Sequence, residues 1–275
     1  MPGERLEDAL AAARQLASAG IGTIVTRLGE SLTGEGRPAE VCEHYLDAYD
    51  RIRREGLPTV VSVKPTQLGL DRSYDACLAH LQRLAQRAAE TRSQLWIDME
   101  DSSYVDRTLA LYRQVRSHHE PVGIAIQAYL RRTPHDIEGL LQLRPMIRLV
   151  KGAYAETPDV AYPAKRDVNA QYLDSAVRLL EAAKLGQVVP IFGTHDISIV
   201  GQLVARASAL QLSPGAYELH MLYGIHAADQ RALAAQGHVV RCLISYGEQW
   251  FPWYMRRLAE RPANVWFVVR SLFWK

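Results

Sequence analysis

Two groups of residues in this sequence have the types and spacing to handle a small charged ligand. The first lies near the carboxyl terminus, where a helix predicted over Glu248–Glu260 carries Trp253, Tyr254, Arg256, Arg257 and Glu260. Spacings of three and four put Trp253, Arg256 and Arg257 on one side, with Glu260 below both arginines. Adjacent guanidiniums repel each other, but each can grip a carboxylate through two parallel hydrogen bonds, so the pair suits an anionic ligand. Helix pattern alone fits a solvated basic face equally well. The second group is scattered: Lys64, Asp98, Glu100, Gln127, Arg148, Lys151, Thr194, His195 and Asp196 each end or follow a short apolar run. Any one of them reads as an ordinary loop residue or half of a surface ion pair. Long polar groups at the ends of five runs would be a costly way to finish a core unless they share a ligand.

The elements that must position these groups are legible as alternating runs. Eight β-rich apolar stretches recur: Ile21–Val25, Thr59–Val63, Leu95–Met99, Gly123–Gln127, Met146–Val150, Val188–Phe192, Glu218–Leu222 and Val239–Ile244. Between them, Ala39–Glu55, Tyr74–Thr91, Val105–Ser117, Val168–Lys184 and Ile197–Leu210 have helical spacing. Runs apolar through their length suit parallel strands buried on both faces and joined by helical crossovers. Eight such units predict an α/β fold, a (βα)₈ TIM barrel, in which catalytic groups gather at the carboxyl ends of the strands. A doubly wound open sheet would carry a glycine-rich dinucleotide turn, and no G-x-G-x-x-G occurs. Arg5–Ala19 reads as an alanine-rich amphipathic helix that caps the barrel floor or packs outside it. The expected organisation is one domain over residues 1–275, with a helix in 1–20 and the barrel in 21–275.

A chain of 275 residues is close to the ~250 that one such barrel needs. A formal net charge of +2, spread along the chain, argues against nucleic acid as a partner. No apolar run reaches membrane-span length, and Glu4, Glu7 and Asp8 stand where a signal peptide would be basic and then apolar. The expectation is a cytoplasmic protein without stable membrane insertion, peripheral contact being left open. Cys42, Cys77 and Cys242 lack zinc or disulfide spacing and read as reduced, buried thiols, Cys242 in a strand near the site. A metal hydrolase built on Asp98, Glu100 and His195 lacks a second histidine ligand, so no metal is expected.

The ordered pieces Ser62–Val63–Lys64, Ile97–Asp98–Met99–Glu100–Asp101, Ile126–Gln127–Ala128–Tyr129, Ile147–Arg148–Leu149–Val150–Lys151–Gly152–Ala153–Tyr154, Thr194–His195–Asp196, Met221–Leu222–Tyr223–Gly224 and Arg256–Arg257–Leu258–Ala259–Glu260 resemble bacterial proline dehydrogenases over nearly the whole chain. That resemblance implies a distorted barrel with non-covalent FAD at the strand ends, bound without a dinucleotide motif. It implies that Met99, Gln127, Lys151, Gly152, Ala153, Thr194 and His195 contact FAD and that Arg148 lies near the reactive flavin nitrogen. Lys64, Arg256 and Arg257 would hold the substrate carboxylate, while Tyr154 and Leu222 would pack around the substrate ring. The reaction implied is hydride removal from the carbon beside the amine of L-proline or a related secondary-amine amino acid, giving an imine. Asp98 would orient or help deprotonate the nitrogen, Arg148 would stabilise charge on the reduced flavin, and a quinone, oxygen or partner protein would take the electrons.

Several positions depart from the family pattern. Leu243 and Trp253 stand where tyrosine is usual, His220 where glutamine is, Ser245 where proline is, and Pro65 where leucine is. Read as pocket positions, Leu243, Trp253 and His220 predict an altered substrate with a different carbon–nitrogen bond. A non-catalytic carboxylate-binding barrel is the other reading, against which the retained Arg148, Lys151 and Asp98 weigh.

Overall fold

A computed structural model describes residues 1–29, 38–248 and 250. Eight parallel strands close into a barrel in sequential order: β1 (Gly22–Arg27), β2 (Thr59–Val63), β3 (Leu95–Ile97), β4 (Val122–Gln127), β5 (Met146–Val150), β6 (Val189–Gly193), β7 (Glu218–Leu222) and β8 (Val239–Tyr246). β8 seals the barrel by pairing with β1 over the full stretch from Gly22↔Arg241 to Arg27↔Tyr246. Every residue of β2 and β4 is buried, as expected for strands covered on both faces.

The helices are α1 (Leu6–Ala17), α2 (Pro38–Arg54), α3 (Tyr74–Glu90), α4 (Val105–Arg116), α5 (Thr133–Leu141), α6 (Lys165–Lys184), α7 (Ile197–Ala209) and α8 (Ala227–Ala235). α3 shows how sequence produces them. Ser73 caps its start by accepting from the Ala76 amide at 3.2 Å, and Cys77, Leu81, Leu84, Ala85 and Ala88 form the buried stripe that packs on the sheet. α5 and α8 have no counterpart in the sequence reading. Each is nine residues long, and α8 buries only Gln230, so no apolar period marks it.

Of the two seats open to the amino-terminal helix, α1 takes the outer one, packing on β1 and β8 through Leu6, Ala9, Leu10 and Ala13. That is where a helix following the last strand lies in a regular barrel. An ion pair from Arg51 to Glu7 at 2.6 Å ties α1 to α2.

All three cysteines are buried and free. Cys242 corrects one expectation, because it points away from the barrel interior into a cluster with Ile21, Val240 and Leu233. Burial pushes its thiol up to about 12. Among the described residues no helix is long and apolar enough to cross a membrane, and no group of His, Cys, Asp and Glu is placed to hold a metal.

Candidate active site

Strand alternation points every second side chain into the barrel, and the inward positions of β2, β3 and β5 meet near their carboxyl ends. Asp98, just after β3, is the centre. Its Oδ1 accepts from Ser62 Oγ at 2.8 Å and from Arg148 Nη2, and its Oδ2 accepts from Lys64 Nζ at 3.1 Å. Arg148 Nη2 also donates to Ser62 Oγ at 3.0 Å. Burial alone would push the Asp98 carboxyl up, but Lys64 and Arg148 beside it, with the Ser62 hydroxyl, outweigh that and hold it below the usual carboxylate range. It is therefore an ionised group and a weak proton acceptor at neutral pH. Arg148 is buried, which lowers its affinity for a proton, and Asp98 works against that shift.

One donor of this network is not used. Arg148 Nη1 is buried and has no hydrogen-bond partner among the described residues. An unspent guanidinium donor in a desolvated place is costly without a ligand, so the arrangement fits an electron-rich group at the strand ends.

Around this centre stand the other strand-end residues. Gln127 at the end of β4 is buried, its Nε2 donating to the Glu100 carbonyl at 2.8 Å. Lys151, following β5, donates to Asn169 Oδ1 at 2.7 Å and Asp196 Oδ2 at 3.3 Å. Asp196 in turn caps α7 by accepting from the Ile199 amide. Gly152 has φ +119°, and a Cβ there would lie 2.2 Å from Tyr129 Cδ1, so only glycine lets the chain pass this ring. Ala153, Tyr154 and His195 are half-buried at the same end, and Thr194 is buried with its amide donating to the His220 carbonyl at 3.2 Å. Leu222 and Leu243 are register partners on β7 and β8, and Leu243 packs on Ile24, Val60, Trp96 and Ile191 inside the barrel. The Met99 side chain is part of the main core.

Glu100, from the strand-end set, and His220, from the departures, are both committed to structure. Glu100 accepts from the Thr66 amide at 2.9 Å and from Thr66 Oγ1 at 2.6 Å, clasping the β2 and β3 exits together. His220 is enclosed, not pocket-facing as the altered-substrate reading requires. Its Nε2 lies 2.9 Å from Glu218 Oε2, its ring meets Trp96 edge-on at 5.7 Å, and burial pushes it down to about 4, so it is neutral at neutral pH. Glu218 also accepts from Arg241 Nε at 2.7 Å. Trp253, Arg256 and Arg257 lie outside the described residues.

Sequence reading passed over Ser62, which bonds both Asp98 and Arg148, and Trp96, whose ring centre lies 5.0 Å from the Arg148 Cζ. Both could have been found by stepping back two residues, from Lys64 and from Asp98, along the inward face of each strand.

A family profile described as proline dehydrogenase matches residues 9–270. The chain belongs to the proline dehydrogenase family. As a member it is an oxidoreductase. It is 35% identical over 273 residues to proline dehydrogenase 1 of Bacillus subtilis, covering 99% of this chain and 89% of that one. Against the proline dehydrogenase of Deinococcus radiodurans the identity is 34%, over 98% and 87% of the two chains. Among solved structures, proline utilization A from Bdellovibrio bacteriovorus inactivated by N-propargylglycine superposes with a TM-score of 0.85 at 24% identity. That match covers 94% of this chain and 32% of the other, so the chain spans a minor part of that larger protein and shares the barrel with it. A proline utilization A with proline bound in remote sites gives a TM-score of 0.79 at 22% identity.

Proposed function

We propose that this protein is an FAD-dependent enzyme that oxidises L-proline to pyrroline-5-carboxylate, with the flavin held non-covalently at the strand ends of a single barrel domain spanning residues 1–275. The observation that carries this reading is the buried Arg148 guanidinium, held by Asp98 and Ser62 through Nη2 and with Nη1 unspent. Membership of the proline dehydrogenase family and the 34–35% identical relatives favour proline oxidation over a different carbon–nitrogen substrate or a non-catalytic binder.

Residues Gln127, Lys151, Gly152, Ala153, Thr194 and His195, with the Met99 backbone, would hold the flavin. Bound FAD would supply the two-electron acceptor that no side chain provides. Arg148 would then sit beside the ring system and stabilise negative charge developing there.

Lys64, Arg256 and Arg257 would hold the substrate carboxylate, with Trp253, Tyr154, Leu222 and Leu243 enclosing the ring. Because Lys64 and Arg148 keep the Asp98 carboxyl ionised, its role is better matched to orienting the substrate nitrogen than to storing a proton. Electron transfer to a quinone, oxygen or partner protein would complete turnover, in a cytoplasmic enzyme open to peripheral membrane contact.

The test is to purify the protein, supply FAD, and follow flavin absorbance anaerobically while L-proline is added. Bleaching by proline is the expected result. A protein that takes up no FAD, or a bound flavin that proline leaves oxidised, would overturn the reading.

A further inference from the structure

Trp96 lies on β3 two residues before Asp98, so both side chains point into the barrel. The indole is fully buried and its Nε1 donates to Gln94 Oε1 at 3.2 Å. The Arg148 Cζ stands 5.0 Å from the centre of its ring, within range of a cation–π contact. Behind the indole lies Gly123 of β4, the register partner of Trp96. A Cβ on Gly123 would come within 2.5 Å of Trp96 Cζ3, so glycine at that position is what lets the ring lie where it does.

The guanidinium is thus fixed on two sides. Asp98 and Ser62 take Nη2 and the Trp96 ring lies against the guanidinium carbon, while Nη1 is a buried donor without a partner among the described residues. We propose that Trp96, seated on Gly123, is a positioning residue that holds the Arg148 guanidinium so that Nη1 remains directed to the ligand at the strand ends. The consequence for catalysis rests on the proposed flavin site, whereas the hold on Arg148 is a property of the protein alone.

The experiment is a double-mutant cycle of W96L with R148M, with W96F as the conservative variant, all loaded with FAD. For W96L the expected result is a kcat about tenfold lower, a KM for proline changed less than about twofold, and a lower midpoint potential of the bound flavin. W96F, which keeps an aromatic face, should stay within about threefold of wild type. In the R148M background W96L should change neither kcat nor potential further. G123A should reproduce the W96L phenotype by displacing the ring.

Equal losses from W96L with and without Arg148 would overturn the proposal, as would a folded W96L with unchanged kcat and potential. If W96L does not load flavin, the same cycle is run with G123A, which displaces the ring without removing it. A flavin-free readout separates the two layers of the argument. In ¹⁵N-arginine-labelled protein without FAD, the guanidinium resonance absent from R148M should be ring-shifted, and should move towards the ordinary arginine position in W96L. An unshifted Arg148 resonance in the wild-type protein would overturn the hold itself, whatever the flavin does.

Discussion

The barrel interior holds two charged clusters, and they are finished differently. At the strand ends Asp98 is shared by Lys64, Arg148 and Ser62, one guanidinium nitrogen is left over, and Lys64 and Asp98 keep 13% and 14% of their side-chain surface open. Where His220 lies against Trp96, Glu218 binds Arg241 Nε and His220 Nε2, so both of these donors are spent on Glu218 and what remains is the acceptor Nδ1 of the neutral His220 ring, buried without a partner among the described residues. Burial is outweighed at Glu218 by His220 and Arg241, which bring its carboxyl down to about 2. Both clusters cost desolvation. Only the first leaves a donor to meet a ligand, so the first is where chemistry is expected and the second is where stability is expected.

That contrast is most exposed to failure at Arg148. Replacing it by methionine removes one partner of Asp98, but Lys64 and Ser62 still hold that carboxylate, so the stability cost should stay below the roughly 3–5 kcal/mol of a buried charge left wholly unpaired. Turnover should fall by about a hundred- to a thousandfold, the scale of losing one preorganised electrostatic donor. Steady-state kinetics beside a urea titration decides it: a normal kcat with a collapsed midpoint would make the strand-end cluster structural too.

Glu218→Gln should do the reverse. It leaves the Arg241 guanidinium, 17% exposed, without its charge partner, at a cost of about 3 kcal/mol. The kcat per folded molecule should stay within about threefold, since Glu218 touches none of Lys64, Asp98 or Arg148 among the described contacts. A large loss of turnover in a stable Glu218→Gln protein would erase the distinction.

How far these clusters were legible in the sequence follows the same division. β2, β5 and β7 fall where the β-rich runs place them, residue for residue, although Arg148 interrupts β5 and Glu218 and His220 interrupt β7 on the faces turned into the barrel. β3 stops at Ile97, short of the Met99 expected, with one more backbone bond to β2 from the Asp98 amide to the Val63 carbonyl at 2.9 Å. The strand-end polar residues were visible because polarity after an apolar run stands out. Their pairing was not: Asp98 and Arg148 are fifty positions apart, and only barrel closure brings them together. The Glu218–Arg241–His220 set was missed altogether. Glu218 and Arg241 look like ordinary charged residues near strand starts, and His220, set in an apolar strand, read as a pocket wall until Trp96 was seen to lie against it.

The smallest effect expected is a pH dependence located in the Glu218 cluster. Burial takes His220 from its ordinary 6.5 down to about 4 in the folded protein. Below pH 6.5 the unfolded chain therefore binds a proton on this imidazole that the folded one refuses, and stability from this residue, complete above 6.5, drains away as pH falls towards 4. Between pH 7 and pH 5 that amounts to about 2 kcal/mol. His220→Gln keeps an amide to donate to Glu218 but has no proton to gain, so its stability should fall by about 2 kcal/mol less over the same interval. Urea titrations of both proteins at pH 7 and pH 5 measure the difference directly. Parallel losses would mean that the imidazole is protonated inside the barrel, and the Glu218 cluster would then carry a charge beside Trp96 that Arg148 has to contend with.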